Sequence, residues 1–221
     1  MTKGEDTRQV ILGEALALAS EVGLAGVTIG ALAERVKMSK SGLFAHFSSK
    51  DNLEVAILEE AIRRFIDLVL APALREKRGE PRVRALFERW LGWAEQDFMP
   101  GGCVFMAATV ELDDRPGPAR DKLVASQRDW LSTLAGAARI AIEEGHFRAD
   151  LDPAQLAFEA YALAQGYHTT TRLLHDKAAG KRVRAGFERL VRDARRPAAE
   201  SKRPAASAAS RKVGAEARPR S

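Results

Sequence analysis

One cysteine, Cys103, stands alone among 221 residues, which excludes an intrachain disulfide framework and, with only four scattered histidines, leaves no thiolate zinc set. No unbroken run of 18 apolar residues is present to span a bilayer, and no apolar signal core follows the polar start Met1-Thr2-Lys3-Gly4-Glu5-Asp6. A soluble, cytoplasmic protein with no membrane partner is the expectation. The catalytic signatures that spacing alone reveals are missing as well: there is no Gly-x-Ser-x-Gly elbow, P-loop, His-Glu-x-x-His or Gly-x-Gly-x-x-Gly. His46, His146, His168 and His175 are dispersed, and the last two, seven positions apart, are too distant for a direct i, i+4 metal clip. The reading is of a protein that is not an enzyme and carries no cofactor or metal. Alternating strand patterns are nearly absent too.

What the chain does have is helical periodicity, with apolar residues at spacings of three and four throughout. Residues 6–23 place Val10, Ile11, Ala15, Leu18, Ala19 and Val22 along one side, with Gly23 as a stop. Thr28 and Ser39 can cap two short helices, and Ser49 a long one through Leu53, Ile57, Ala61, Phe65 and Leu68 that weakens near Pro72. Further helices are expected over 81–98, 103–112, 119–144, 152–175 and 179–193, several opened by prolines or closed by glycines. The fold class is therefore all-α, with a boundary near 52 and a domain over 53–194.

Net charge is +5, but eight Lys/Arg against two Glu in residues 194–221 more than supply it. That stretch of Ala, Pro, Ser, Lys and Arg has no periodicity, so 195–221 reads as a disordered basic tail, either a nonspecific DNA-binding appendage or a solubilising one. The local cluster Arg35, Lys37, Lys40 and Lys50, opposed by Glu34 alone, carries more information. Two short helices joined by Lys37-Met38 after a longer one make a helix-turn-helix, whose last helix fits a major groove about 12 Å wide. In its first turn, Ser39 caps, Lys40 can donate to guanine, Ser41 can bond several bases, and Gly42 lets the backbone approach closely.

The run from Thr28 to Leu53, TIGALAERVKMSKSGLFAHFSSKDNL, resembles the signature of the TetR family of bacterial repressors. The resemblance covers about 6–55 in motif detail and, in helix order and length, reaches about 193. It implies a tri-helical DNA-binding domain (1–52) and a helical ligand-binding and dimerisation domain (53–194). It further implies that Thr28 contacts the DNA backbone, Lys40, Ser41 and Gly42 read bases, Phe44 and His46 touch phosphate or bases, and Lys50 lies beside phosphate. Phe44 stands where tyrosine is common, and Gly30 where some members read a base. The plainer alternatives are that Lys37 and Lys50 are solvated charges, that His46 packs, and that Phe44 wedges the recognition helix against the first.

The later helices carry more apolar surface than one core needs. The resemblance gives that surplus two uses, a dimer and a pocket. A homodimer would bundle 152–175 and 179–193 with their copies through Leu156, Leu163, Tyr167, Val183, Phe187 and Leu190. An effector pocket would be lined by Trp90, Trp93, Phe98, Cys103, Phe105, Met106 and Trp130, with His146, Tyr161 and His168 as polar candidates. Cys103 reads either as an inert thiol or as a sensor whose thiolate a helix start favours. The functional expectation is a repressor that binds a palindromic operator as a dimer and is released by a small apolar or aromatic effector. The alternative is a helical ligand-binding protein with no DNA role.

Overall fold

The computed structural model describes residues 3–195; Met1, Thr2 and residues 196–221, which hold nearly all of the expected basic tail, lie outside the described residues. Ten α-helices follow one another: α1 (Lys3–Gly26), α2 (Ile29–Arg35), α3 (Lys40–Phe47), α4 (Lys50–Phe65), α5 (Ala71–Leu74), α6 (Glu80–Trp93), α7 (Val104–Leu112), α8 (Pro118–Glu143), α9 (Pro153–Arg172) and α10 (Ala179–Ala194). A π-helical turn, Ile66–Leu70, joins α4 to α5 without a break. No strand forms among the described residues; a single antiparallel bridge pairs Phe147 with Arg195.

Local chemistry sets the helix starts. The side chains of Thr28, Ser39, Ser49 and Asp152 each accept a backbone N–H of the following turn, filling donors that a helix leaves unpaired. Prolines in the first turns of α6, α8 and α9 cost no hydrogen bond there. Gly23, at φ 77°, breaks α1, so the expected stop is present although one helical turn follows it. α6 ends at Trp93 rather than 98, which leaves Phe98 in a turn.

Two faces differ from the periodic reading. In α1 the buried line is Ile11, Leu12, Ala15, Leu16 and Ala19, whereas Val10 is 65% and Val22 50% exposed. This helix contains an 18-residue window apolar enough, by length and composition, to cross a membrane, and the apolar side is the one packed on α4 and α7. In α4 the inward line Leu53, Ile57 and Ala61 passes through Phe65 to Val69, not Leu68, which is 42% exposed. The π turn holds an additional residue and so moves the inward position by one. Nor does Pro72 end the helix, because in a π turn and a first turn its missing N–H is accommodated.

α1–α3 form a compact head seated on α4 and α7. α8 packs along α9 and α4, and α10 along α9, enclosing a core rich in rings. Phe87 and Phe187 stack at 3.8 Å, tying α6 to α10.

Candidate nucleic-acid interface and effector cavity

The head presents one polar, exposed edge. Ser39 Oγ accepts from the Gly42 amide at 3.1 Å and lies 3.2 Å from Ser41 Oγ, which fixes the first turn of α3. Lys40 and Ser41 project into solvent there, with Thr28 exposed at the start of α2. The Lys40 side chain lies across Gly30: a β-carbon on Gly30 would stand 3.4 Å from Lys40 Cε and 3.9 Å from Thr28 Oγ1. Lys40 thus rests beside Thr28 and Gly30, at distances a β-carbon would tolerate.

Two residues of the basic cluster, Arg35 and Lys50, take up other roles than free cations. Arg35 bonds Glu14 at 2.8 Å and Glu21 at 3.0 Å, so it fastens α2 to α1 and leaves the exposed cationic set to Lys37 and Lys40. Lys50 Nζ donates to the Ala25 carbonyl at 2.6 Å and sits 3.7 Å from the buried Glu54 carboxylate. Phe44 is 53% exposed and does not wedge the head; Phe47, buried with Arg8 over its ring at 5.4 Å, does that. His46 is half-buried, its ring 6.3 Å from that of Phe47.

The second site is a cavity of about 380 Å³ enclosed by α4, the π turn, α6, α7, α8 and α9. Trp90, Cys103, Phe105, Met106 and Trp130 line it, as the sequence suggests, together with Tyr161. Trp93 and Phe98 do not. Trp93 is fully buried behind the wall, 5.3 Å from the Phe65 ring, and Phe98 lies under the Arg64 guanidinium at 4.6 Å. The helix over 53–75 is expected from the sequence to line the pocket, but its lining residues Ile62, Phe65, Ile66 and Leu70 are not among those the sequence singles out, because the π turn that aims them has no sequence signature. Gln127, Lys122, Asp129, Ser126 and Thr133 add polar edges.

Rings dominate the cavity. Phe65 meets Trp130 edge-on at 4.9 Å, and Trp130 meets Trp90 at 5.2 Å. Tyr161 donates to Gln127 Oε1 and accepts from Gln165, which holds its ring in place, and burial pushes its hydroxyl pKa up. Lys122 is already paired with Glu59 at 2.8 Å. Burial also raises the Cys103 thiol well above its ordinary range, outweighing the α7 start, so this sulfur is a thiol in the wall rather than a standing thiolate. His146 and His168 lie elsewhere: His146 Nδ1 accepts from the Glu80 amide, and His168 sits against Gly102.

A third feature is the groove between α9 and α10, lined by Phe158, Ala162, Leu163, Gly186, Arg189 and Leu190 among others. Of the expected contact residues, Leu156, Tyr167, Val183 and Phe187 are buried inside the chain and have no surface to offer a partner. Leu163 and Leu190 remain half-exposed, beside Phe158 at 63% exposure.

Comparison with known proteins agrees with this arrangement. The model for bacterial regulatory proteins of the tetR family matches residues 11–57, and that for the tetracyclin repressor-like C-terminal domain matches 79–187. The chain belongs to the TetR family. It is accordingly a TetR-family transcription regulator, with a DNA-binding helix-turn-helix and a ligand-binding helical domain. A TetR regulator from Chloroflexus aurantiacus superimposes with a TM-score of 0.77 at 24% identity, covering 87% of this chain and 96% of that one. One from Cytophaga hutchinsonii gives 0.78 at 22%, covering 88% and 98%. AibR, solved with isovaleryl coenzyme A and operator DNA, gives 0.66 at 21%, covering 82% and 98%. No curated protein matches the sequence.

Proposed function

We propose that this TetR-family regulator is a repressor that binds a palindromic operator as a homodimer and lets go when a neutral, flat aromatic or apolar molecule enters the cavity. The observation that carries the reading is that α4 and α7, on which the head is seated, are also walls of the cavity. An occupant that prefers one placement of those helices therefore also prefers one placement of the heads. The ring-lined wall selects flat apolar molecules, and the charged residues in the lining, Lys122 and Asp129, are one of each sign. AibR, of the same fold, was solved with a ligand and an operator together, which supports a protein of this shape serving both.

On DNA, Lys40 and Ser41 read base edges, Thr28 and the first turn of α3 hold phosphate, and Gly42 lets the helix start approach closely. Lys50 keeps protons to spare beyond its bond to Ala25, so it can face phosphate as well. Phe44 and His46 complete the edge. The dimer face is the exposed side of α9 and α10 around Phe158, Ala162, Leu163 and Leu190, which pairs with its copy as a four-helix bundle.

The test follows cavity tryptophan fluorescence while neutral aromatic compounds are titrated into the protein, with and without an operator selected from random duplexes. The expected result is weaker binding in the presence of operator, by about 5- to 150-fold. Identical dissociation constants for every compound that binds would refute release by cavity occupants.

A further inference from the structure

A set of polar contacts, closed into a ring by the short stretch of chain from Glu111 to Arg115, surrounds the junction between the head and the rest of the chain. The Ala25 amide, in the last turn of α1, donates to Glu111 Oε2 at 3.0 Å, and Glu111 is in the last turn of α7. Four residues on, Arg115 reaches the Glu54 carboxylate at 3.4 Å. Glu54, 2% exposed, lies 3.7 Å from Lys50 Nζ, and Lys50 donates back to the Ala25 carbonyl at 2.6 Å. Both polar groups of one peptide unit's residue are thus held, one by α7 and one by α4.

The segment leading into α7 is held too. The Gly101 amide donates to Ser20 Oγ at 3.0 Å, and a β-carbon on Gly101 would fall 1.6 Å from the Ser20 carbonyl oxygen, so the two backbones touch. Over the break in α1, Glu111 fills the space that a side chain on Gly23 would need, its Oε1 only 2.0 Å from that β-carbon position. Between these two grips, Cys103, Phe105 and Met106 form the α7 wall of the cavity.

We propose that the ring Ala25–Glu111–Arg115–Glu54–Lys50 is the latch that transmits cavity occupancy to the head through α7. The proposal rests on the effector reading above. A molecule that displaces Phe105 or Met106 moves α7 as a unit, because the helix is only nine residues long. The head follows because its first helix is bonded to the last turn of α7 and to Gly101, in the segment that leads into α7. Cutting the ring at Glu111 or Arg115 leaves the cavity and the reading edge intact and separates them from each other.

The experiment uses the full chain, an operator selected from random duplexes and N-phenyl-1-naphthylamine as a neutral aromatic probe. In the wild type, saturating operator weakens probe binding by about 5-fold or more. Glu111→Ala brings that factor to within about twofold of one, while probe affinity without DNA is unchanged. Glu111→Gln, whose amide oxygen still accepts from Ala25, keeps the wild-type factor. Arg115→Ala, cutting the ring at another point, repeats the loss, and circular dichroism checks that both alanine variants are folded. Hydrogen exchange at the Ala25 amide accelerates in Glu111→Ala and stays slow in Glu111→Gln. Wild-type factors in both alanine variants would overturn the latch and leave the effector reading standing. A factor of one in the wild type, for this probe and for every other neutral aromatic that binds, would overturn that reading and the latch with it.

Discussion

Two glycines in tight contacts are not equivalent. Gly101 faces a backbone oxygen that cannot rotate away, whereas the β-carbon of an alanine at Gly186 would meet a methyl of the Leu163 side chain at 2.8 Å, which can. Gly101→Ala is expected to cost about 1–3 kcal/mol or more and Gly186→Ala under about 1 kcal/mol. Thermal unfolding checks this, with about 2–4 °C of Tm per kcal/mol for a chain of this size. Cys103 gives a second single-residue outcome: an aromatic disulfide reagent reacts with it slowly in the native protein and rapidly after unfolding, because burial holds it as a thiol. A fast native reaction would show the wall to be open. Which residues were legible in the sequence follows the range of their contacts. Ser39, Ser49 and Asp152 cap groups three residues away or fewer, so spacing reveals them. Lys50 is legible as a lysine opening a helix, but its bond to a carbonyl 25 residues earlier depends on where α1 ends in space. The same holds for Arg35, which reads as part of a basic cluster and is in fact consumed by two glutamates of α1.

Helix existence and order were visible at the level of elements, while facing was visible only where the period stayed regular. The π turn is where it fails, since one inserted residue carries Val69 inward in place of Leu68 and sets Ile66 and Leu70 on the cavity. The amphipathic α9 misleads differently. Both of its apolar sides were apparent, but which one the chain itself consumes was not, and Leu156 and Tyr167 point inward while Phe158 points out. Ion pairs between elements set a pH response. Burial raises the Glu60 carboxyl pKa, and Arg63 and Arg64 outweigh it, leaving it below the ordinary value; Arg195 and then Arg84 likewise hold Glu80 low against burial. Burial, with Arg172 beside it, lowers His168. All three bind protons less readily folded than unfolded, so each contributes stability that is lost as pH falls. The histidine contribution declines below about pH 6.5 and the carboxylate contributions below about pH 4.3. Urea unfolding between pH 7 and 3.5 should show stability falling in that order. In Arg64→Met the fall below about pH 4.3 should be shallower; an unchanged slope would remove Glu60 from the account.

For the whole molecule, the faces of α9 and α10 predict opposite consequences of one kind of substitution. Phe158→Asp places a charge on an exposed side chain and should halve the mass seen by light scattering while helicity persists. Phe187→Asp buries a charge where the ring stacks on Phe87, and should lower helicity and Tm before any change of assembly is measurable. Operator binding disappears in both, through separate causes. If Phe158→Asp keeps the wild-type mass, the bundle lies on another face. The contact of Gly101 with Ser20 has a last consequence, for attempts to recombine regulators. A reading head transplanted from another protein would meet this receptor domain where main chain lies against main chain at Gly101 and where the Ser20 hydroxyl accepts from the Gly101 amide. Only a donor with a small hydroxyl residue at the position of Ser20 and a glycine at that of Gly23 could seat, so sensor and reader in this chain are matched parts and chimeras built by motif alone will assemble loosely.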